Sequence, residues 1–577
     1  MKSRIAALLK EAVDALVASG RLPVDVPALT LSRPREERYG DFATNFPLLA
    51  AKAAGTNPRA LALEMKARVP SSPLIARLEV AGPGFLNVFL APEATYALLP
   101  EILAAGEAYG RLPARAQRVL VEFVSANPNG PLHVGHGRGA AYGDSLARLL
   151  EYAGYAVQRE YYVNDAGRQM DILALSVWLR YLEIAGVPVA FPETGYRGDY
   201  VRDIARGLRD EAGASLERAP DEILIEDPSL TPDALMDVWI AHLKTALGRH
   251  YETLHGFGLR AMRADIDADL AAFGVHYDRW YSERSLMDNG AIERALTRLR
   301  EHGDLYEQDG AQWFRASRYG DEKDRVVVRE NGAPTYFASD IAYHLEKTER
   351  GFDVLIDIWG ADHHGYVPRV RGALSALGCD PERLEVLLVQ FAILYRGQER
   401  AQMSTRSGDF VTLRALREEV GNDAARFFYV LRKSDQHMDF DLDLAKSQSN
   451  DNPVYYVQYA HARIMSVFRQ LAERGMVMPE LACADFRLLE APEEHALLRL
   501  IARFPEVIET AADAREPHQI AYFLRELAGA LHAAYNAHPI LTAQDALRQA
   551  RLALIMAVRH VLANGLRILG VRAPEAM

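Results

Sequence analysis

The chain has 577 residues, of which 49% are hydrophobic and 25% charged, with a net charge of −12 and a pI near 5.8. This is an ordinary globular balance, long enough for three to five domains at about 100–200 residues each. Two distant cysteines, Cys379 and Cys483, exclude a disulfide framework and a four-cysteine zinc site and fit a reducing cytoplasm. No run of about 18 uncharged apolar residues occurs, so no membrane span is expected. Lys10, Glu11 and Asp14 interrupt any signal-like stretch at the N-terminus, which reads as an amphipathic helix. The acidic total does not announce a nucleic-acid binder, but local basic patches matter more than the sum.

In chain order, residues 1–112 read as a small α+β domain. Helical periodicity covers 3–19 and 58–68, and residues 78–90 read as two short strands around Gly82-Pro83-Gly84. The character changes at Arg118. RVLVEFVS is the apolar, β-branched run of a buried parallel strand. A loop and a helix follow, then a strand at 156–163, an order that predicts a doubly wound, Rossmann-like sheet. Stretches 351–364 and 384–395 continue the sheet, and residues of about 180–290 read as a helical, charged insertion. From about 420 the pattern is all-helical, ending on Gly570. The expected architecture is multidomain α/β: a small α+β domain, a core over 113–435 and an all-α domain over 436–577.

The loop Asn127 to Gly139 (NPNGPLHVGHGRG) joins the first strand to its helix. Ligands of open α/β sheets bind at the carboxyl ends of strands, and the free N–H groups of a helix N-terminus suit phosphate. His133 and His136 can both face such a phosphate, and Gly135 allows close backbone approach. A phosphorus centre that becomes pentavalent gains negative charge, which placed donors stabilise. A glycine-rich turn with two exposed histidines is the plain alternative. A metal pair would need a third ligand, and none is evident nearby, so no metal held by protein side chains is expected.

HVGH resembles the HIGH signature of class I aminoacyl-tRNA synthetases. The segments VEFVSANPNGPLHVGHGRG, YYVNDAGRQM, FGVHYDRWYSE, PTYFASDIAYH, QMSTRSGDFVTL, DAARFFYVLR and NPVYYVQYAHARI are similar to the arginine branch, in order and over essentially the whole chain. The resemblance implies that arginine and ATP, with Mg²⁺, form arginyl-adenylate, and that the arginyl group passes to the 3′ end of tRNA(Arg). It also implies a requirement for bound tRNA before activation. A cytoplasmic monomer is expected. Residues matching Glu122, Asn127, Tyr336 and Asp340 line the family's amino-acid site, with Ser125 beside them and His363 of the His363-His364 pair near the substrate. A guanidinium suits planar carboxylates and aromatic faces.

Residues 402–408, QMSTRSG, match the mobile KMSKS loop, which implies that Gln402, Met403 and Ser404 meet ATP. Gln402 stands where the family has lysine, and Asn129-Gly130 offers no substitute lysine. Arg138, Arg400 and Arg406 remain as local cations, and Arg406 with Mg²⁺ is the preferred replacement. The resemblance places Phe42, Asn45, Asn164, Asp165 and Gln169 against tRNA. It identifies the C-terminal helices as a DALR-type anticodon-binding domain with Tyr455, Tyr459 and Arg463 as contacts, and some neighbouring tyrosines must be core. Rival readings are a weakly catalytic tRNA-binding paralogue and a class I enzyme for another amino acid. Zinc-bearing members would need more cysteines, and editing members a larger insertion.

Overall fold

The computed structural model describes residues 1–34, 36–397, 399–400 and 411–577. Its centre is a five-stranded parallel sheet: β1 (Arg118–Glu122), β2 (Ala156–Val163), β3 (Arg279–Ser282), β4 (Val354–Gly360) and β5 (Leu384–Val389), in the order β5-β4-β1-β2-β3. β1 to β2 runs one way across the sheet and β4 lies on the other side of β1. The strand order therefore reverses at the β1–β4 boundary, where α/β sheets open a crevice. α1 (Val134–Tyr152) follows β1, α2 (Arg168–Ile184) follows β2, and α3 (Tyr336–Glu349) precedes β4.

Parallel register sets three carboxylates side by side. Asp357 of β4 pairs with Glu122 of β1, which pairs with Glu160 of β2. Adjacent like charges repel, and burial removes the water that would screen them. α3 supplies the answer. Lys347, fully buried, donates to Glu122 at 2.6 Å and to Asp357 at 2.7 Å. The Tyr343 hydroxyl lies between Glu122 (2.9 Å) and Glu160 (2.8 Å), its one proton shared by the two carboxylates, and His344 Nε2 lies 2.9 Å from Asp357. Arg350, just past the helix, holds Glu160 through two bonds. Burial alone would raise the Asp357 carboxyl, but Lys347 and His344 hold it below the usual range. The same carboxylates keep Lys347 charged against the opposing effect of burial.

The sequence reading meets this fold with four differences. Residues 384–395 are two strands, not one. β5 ends at Val389, and Ala392–Arg396 leaves for a second sheet, where it pairs with Met438–Asp441 and Glu399–Arg400. The chain turns there because Gln390 is held on both sides, its N–H by Ser434 O (2.9 Å) and its carbonyl by Arg138 (2.7 Å). Met438–Asp441 also interrupts the otherwise helical C-terminal pattern; four residues are too few to show a period. The helical insertion ends with the helix His250–Ala272, and β3, inside the range read as insertion, is the edge of the central sheet. A small antiparallel sheet, Leu305–Gln308, Ala311–Phe314 and Arg325–Val328, had no counterpart in the sequence reading.

The insertion helices Asp199–Ala212, Pro232–Leu247 and His250–Ala272 close around α2 with an apolar core of their own, including Trp178, Leu208 and Leu243. The N-terminal unit is a three-stranded sheet with helices, tied to the C-terminal helices by the Arg33–Glu506 ion pair (2.8 Å). The C-terminal helices share one continuous apolar core with α1.

Lys347→Met leaves three buried carboxylates with one fewer cation. It is expected to lower stability by about 3–5 kcal/mol, read as a lower denaturant midpoint by tryptophan fluorescence. An unchanged midpoint would show that the carboxylate row does not depend on this lysine.

Candidate functional site

The carboxyl ends of β1, β4 and β5 open into a cavity of about 820 Å³. One part of its wall is Ser125, Asn127, His133, Gly135 and His136, and another is Trp359, Gly360, Asp362 and His363. Val389 ends β5 and Phe391 follows it, and Glu283, Arg329, Tyr336 and Ser339 complete the lining used below.

The chain leaves β1 through two non-glycine residues with left-handed backbones, Val124 (φ 69°) and Ser125 (φ 42°). Such geometry costs on the order of 1–3 kcal/mol per residue and needs support. Ser125 Oγ donates to Glu122 (2.9 Å) and accepts from Tyr162 N (3.1 Å). Tyr277 and Tyr161 donate to the carbonyls of Phe123 (2.9 Å) and Ala126 (2.8 Å). The turn aims Asn127 across the cavity. Asn164 donates to Asn127 Oδ1 (3.0 Å), and Asn127 Nδ2 donates to Gln169 Oε1 (2.8 Å). Asn164 and Gln169, placed against tRNA by the resemblance, thus stand in the same cavity as Asn127. Asp165 points elsewhere: buried, it accepts from Ser282 Oγ (2.6 Å) and Arg284 N (2.9 Å) and braces β3.

His133 is the N-cap of α1 and its Nδ1 accepts from Gly135 N (3.0 Å); His136 Nδ1 accepts from His133 N (3.3 Å). The rings stack with centroids 3.7 Å apart. Burial lowers the His133 pKa, and burial with the neighbouring ring takes His136 to about 3. Both are neutral at pH 7, and accepting at Nδ1 leaves the proton on Nε2. The first N–H groups of α1 are already bonded, those of His133 and Gly135 to the two rings and that of Val134 to Val411 O, so what the pair presents toward a phosphate is its imidazole Nε2–H groups. Gly135 has a different reason from the one its sequence suggested. A Cβ there would lie 2.8 Å from His133 Cε1 and 3.1 Å from Phe391 Cδ1, so glycine makes room for the ring itself.

Tyr336, 57% exposed, and Ser339 form the wall at the start of α3. Asp340, one turn on, is buried behind them, accepts from Tyr366 and is pushed up to about 7 by burial. Glu122 is similarly recessed, its oxygens held by Ser125, Tyr343 and Lys347. Glu283 does line the cavity, and its buried Oε2 has no hydrogen-bond partner among the described residues. Burial raises its pKa, against the opposing pull of Ser339, Tyr162 and the Ala166 N–H near the carboxyl. The sequence reading missed Glu283; it lies just past β3, inside the range read as insertion. His363 is exposed at the rim, and His364 is exposed but outside the lining.

Arg138 is not an available cation. It is buried, with its guanidinium bonded to the carbonyls of Gln390, Lys433 and Gln436. Gln402, Met403, Ser404 and Arg406 lie outside the described residues. Just after them, Val411 O accepts from Val134 N (3.1 Å) and Leu413 N donates to Leu132 O (2.8 Å), fastening the following helix to the histidine loop.

Away from the cavity, Phe42 is fully buried in the N-terminal core beneath the Arg33 guanidinium and presents no surface to RNA. Asn45 is half-buried at a helix start. On the helix Pro453–Glu473, Tyr455, Tyr459 and Arg463 share one outward face at intervals of four. The two tyrosine rings stack at 6.0 Å, and Arg463 lies 3.8 Å over Tyr535. Gln458 and His461 face inward, bonded to Arg572 O and Pro574 O.

Residues 3–90 match the arginyl tRNA synthetase N terminal domain family. Residues 98–184 and 263–442 match the class I (R) tRNA synthetase catalytic domain, and 457–577 the DALR anticodon binding domain. An arginine–tRNA ligase from Thioalkalivibrio sulfidiphilus is 58% identical over 100% of both chains, and one from Halorhodospira halophila is 57% identical over the same share. The chain belongs to the arginyl-tRNA synthetase family. The solved arginyl-tRNA synthetase of Thermus thermophilus covers 100% of both chains with a TM-score of 0.74 at 26% identity. Membership makes the chain an ATP-dependent ligase that joins arginine to tRNA. Among the described residues, no helix is long and apolar enough to cross a membrane.

Gly135→Ala should force the His133 ring from its place. A displacement of about 1 Å costs on the order of 100-fold in rate, so ATP–pyrophosphate exchange measured with tRNA present should fall by about that factor with the circular dichroism unchanged. Wild-type exchange would show that the ring position is not critical.

Proposed function

We propose that the cavity is where arginine and ATP meet, and that Glu283 and Asp340 select the amino acid by charge. The excess of buried carboxylate supports this reading. Glu122, Glu160, Asp357, Asp340 and Glu283 are buried at and behind the cavity wall with Lys347, Arg350 and, 3.8 Å from Glu160, Arg279, whereas the arginines of the lining itself, Arg168 and Arg329, are exposed. A cavity so surrounded favours a ligand carrying both a guanidinium and an ammonium group. Glu283 Oε2 offers an acceptor already stripped of water, and Tyr336 an aromatic face at the mouth.

The arginine carboxylate attacks the α-phosphorus of ATP and pyrophosphate leaves. The terminal ribose hydroxyl of tRNA then attacks the acyl carbon and AMP leaves. His133 and His136 donate from Nε2 to phosphate oxygens as charge develops. Asn127, held by Asn164 and Gln169, orients arginine. Among the described residues no cluster of three or more His, Cys, Asp or Glu forms a protein-only metal site. Mg²⁺ bound with the nucleotide would supply further positive charge at the phosphates. In this reading Gln402, Met403, Ser404 and Arg406 meet ATP, and Arg406 and Mg²⁺ together replace the lysine that the family has at Gln402. Tyr455, Tyr459 and Arg463 offer stacking and charge to anticodon bases, and Asn45 remains an N-terminal contact. The enzyme acts as a cytoplasmic monomer, in keeping with its two unbonded cysteines.

ATP–pyrophosphate exchange with each amino acid, with and without tRNA, tests the reading. Exchange should occur with arginine alone and only with tRNA present; exchange driven by another amino acid sinks it. Glu283→Gln should raise the KM for arginine about tenfold or more and leave that for ATP unchanged; an unchanged arginine KM would remove Glu283 from the site. The pH dependence follows from Asp340. Its carboxyl, raised to about 7, is ionised above that pH and protonated below it, while the arginine guanidinium stays charged throughout. The KM for arginine should therefore climb as pH falls through 7 toward 6, and a flat profile would exclude Asp340 as a charge partner.

A further inference from the structure

Asn127 does not hold its position alone. Gln169 Oε1 accepts from Asn127 Nδ2 (2.8 Å) and also from Asn129 Nδ2 (2.7 Å). Asn129 Nδ2 donates in turn to the hydroxyl of Tyr196 (2.9 Å), and Asn129 O accepts from the hydroxyl of Tyr200 (2.7 Å). The approach is close: a Cβ on Gly130 would sit 3.3 Å from Tyr200 Oη. Both tyrosines are half-buried, and neither belongs to the sheet domain. They flank the start of the insertion helix Asp199–Ala212, and both pack against the insertion's own core, which includes Trp178, Val201 and Leu208. Tyr196 is further fixed by its N–H to Ser176 Oγ (3.0 Å) on α2.

Two tyrosines from a separately packed body thus grip the residue two places beyond Asn127. Their hydroxyls hold Asn129 by side chain and by backbone, which fixes both the direction of its amide and the path of the loop. Gln169 Oε1 is shared, so it links the hold of the insertion on Asn129 to Asn127. We infer that Tyr196 and Tyr200 are positioning residues for arginine binding, acting through Asn129 and Gln169 on Asn127. The seating of the helical insertion is thereby coupled to the amino-acid site. This inference rests on the reading of Asn127 as a contact to arginine.

The test uses the full-length enzyme with total tRNA in ATP–pyrophosphate exchange. It compares Tyr196→Phe/Tyr200→Phe, Asn127→Ala and the triple variant. Phenylalanine keeps the packing and removes only the hydroxyls, so the thermal midpoint serves as a control for folding. The double tyrosine variant should raise the KM for arginine by about three- to tenfold, with the KM for ATP unchanged and kcat reduced less. On the Asn127→Ala background the same two substitutions should add nothing, since the residue they position is gone. An arginine KM unmoved by the double variant overturns the inference, as does a tyrosine effect that adds in full to that of Asn127→Ala. If Asn127→Ala itself leaves the arginine KM unchanged, the assignment of Asn127 fails and takes the inference with it. A defect in Asn127→Ala beside silent tyrosine variants overturns the inference alone.

Discussion

Three carboxylates abreast on neighbouring parallel strands would repel one another, and the covering helix makes the arrangement stable by bringing Lys347 to two of them and, just past its end, Arg350 to the third. Lys347 bridges Asp357 and Glu122, and Tyr343 bridges Glu122 and Glu160. In a low-dielectric interior this pairing is decisive, because an unmatched buried charge costs several kcal/mol. It also fixes geometry. α3 is locked to β1, β2 and β4 at once, so Tyr336 and Asp340 at its other end are placed against the loop that leaves β1. Glu122 carries this tie further by accepting from Ser125, which supports the left-handed turn before Asn127.

Two kinds of electrostatics then meet in one cavity. On the helix-start side, burial keeps both histidines neutral and their backbone partners set the tautomer, so the protein offers donors without fixed charge. On the α3 side, carboxylates outnumber cations, and the recessed Asp340 and the partly unsatisfied Glu283 hold that excess near the wall. A donor-rich end suits phosphate and an acidic end suits a cationic amino acid.

The strain at Val124 and Ser125 belongs to the same design. A non-glycine turn in the left-handed region persists only where its surroundings dictate it. Here tyrosines from β2 and the approach to β3 hold the carbonyls on either side. The insertion adds Tyr196 and Tyr200 further along the loop. The substrate loop is thus held from the sheet, from α2 and from the insertion.

How much of this was legible beforehand differs by element. The β1-loop-α1-β2 order, the strand 156–163 and the histidine pair were plain in the sequence. A buried parallel strand is a continuous apolar run and a helix start after glycine-rich loop is a local signal. The outward face of Tyr455, Tyr459 and Arg463 follows from helical spacing once the helix is known, yet which face turned inward required the C-terminal tail that bonds Gln458 and His461. Phe42 and Arg138 show the limit: an aromatic beside polar residues and an arginine beside a phosphate loop look functional in one dimension, and both are buried structural groups. β3, Glu283 and the split at Val389 were hidden because short edge strands and chain exits are set by long-range partners. The sequence by itself determined the β1-loop-α1-β2 unit, the long C-terminal helices and the family, since these rest on periodicity and local motifs. Only the tertiary structure decided which carboxylates are neutralised, which face the cavity and which hydroxyls hold Asn129, because each depends on contacts between residues far apart in the chain.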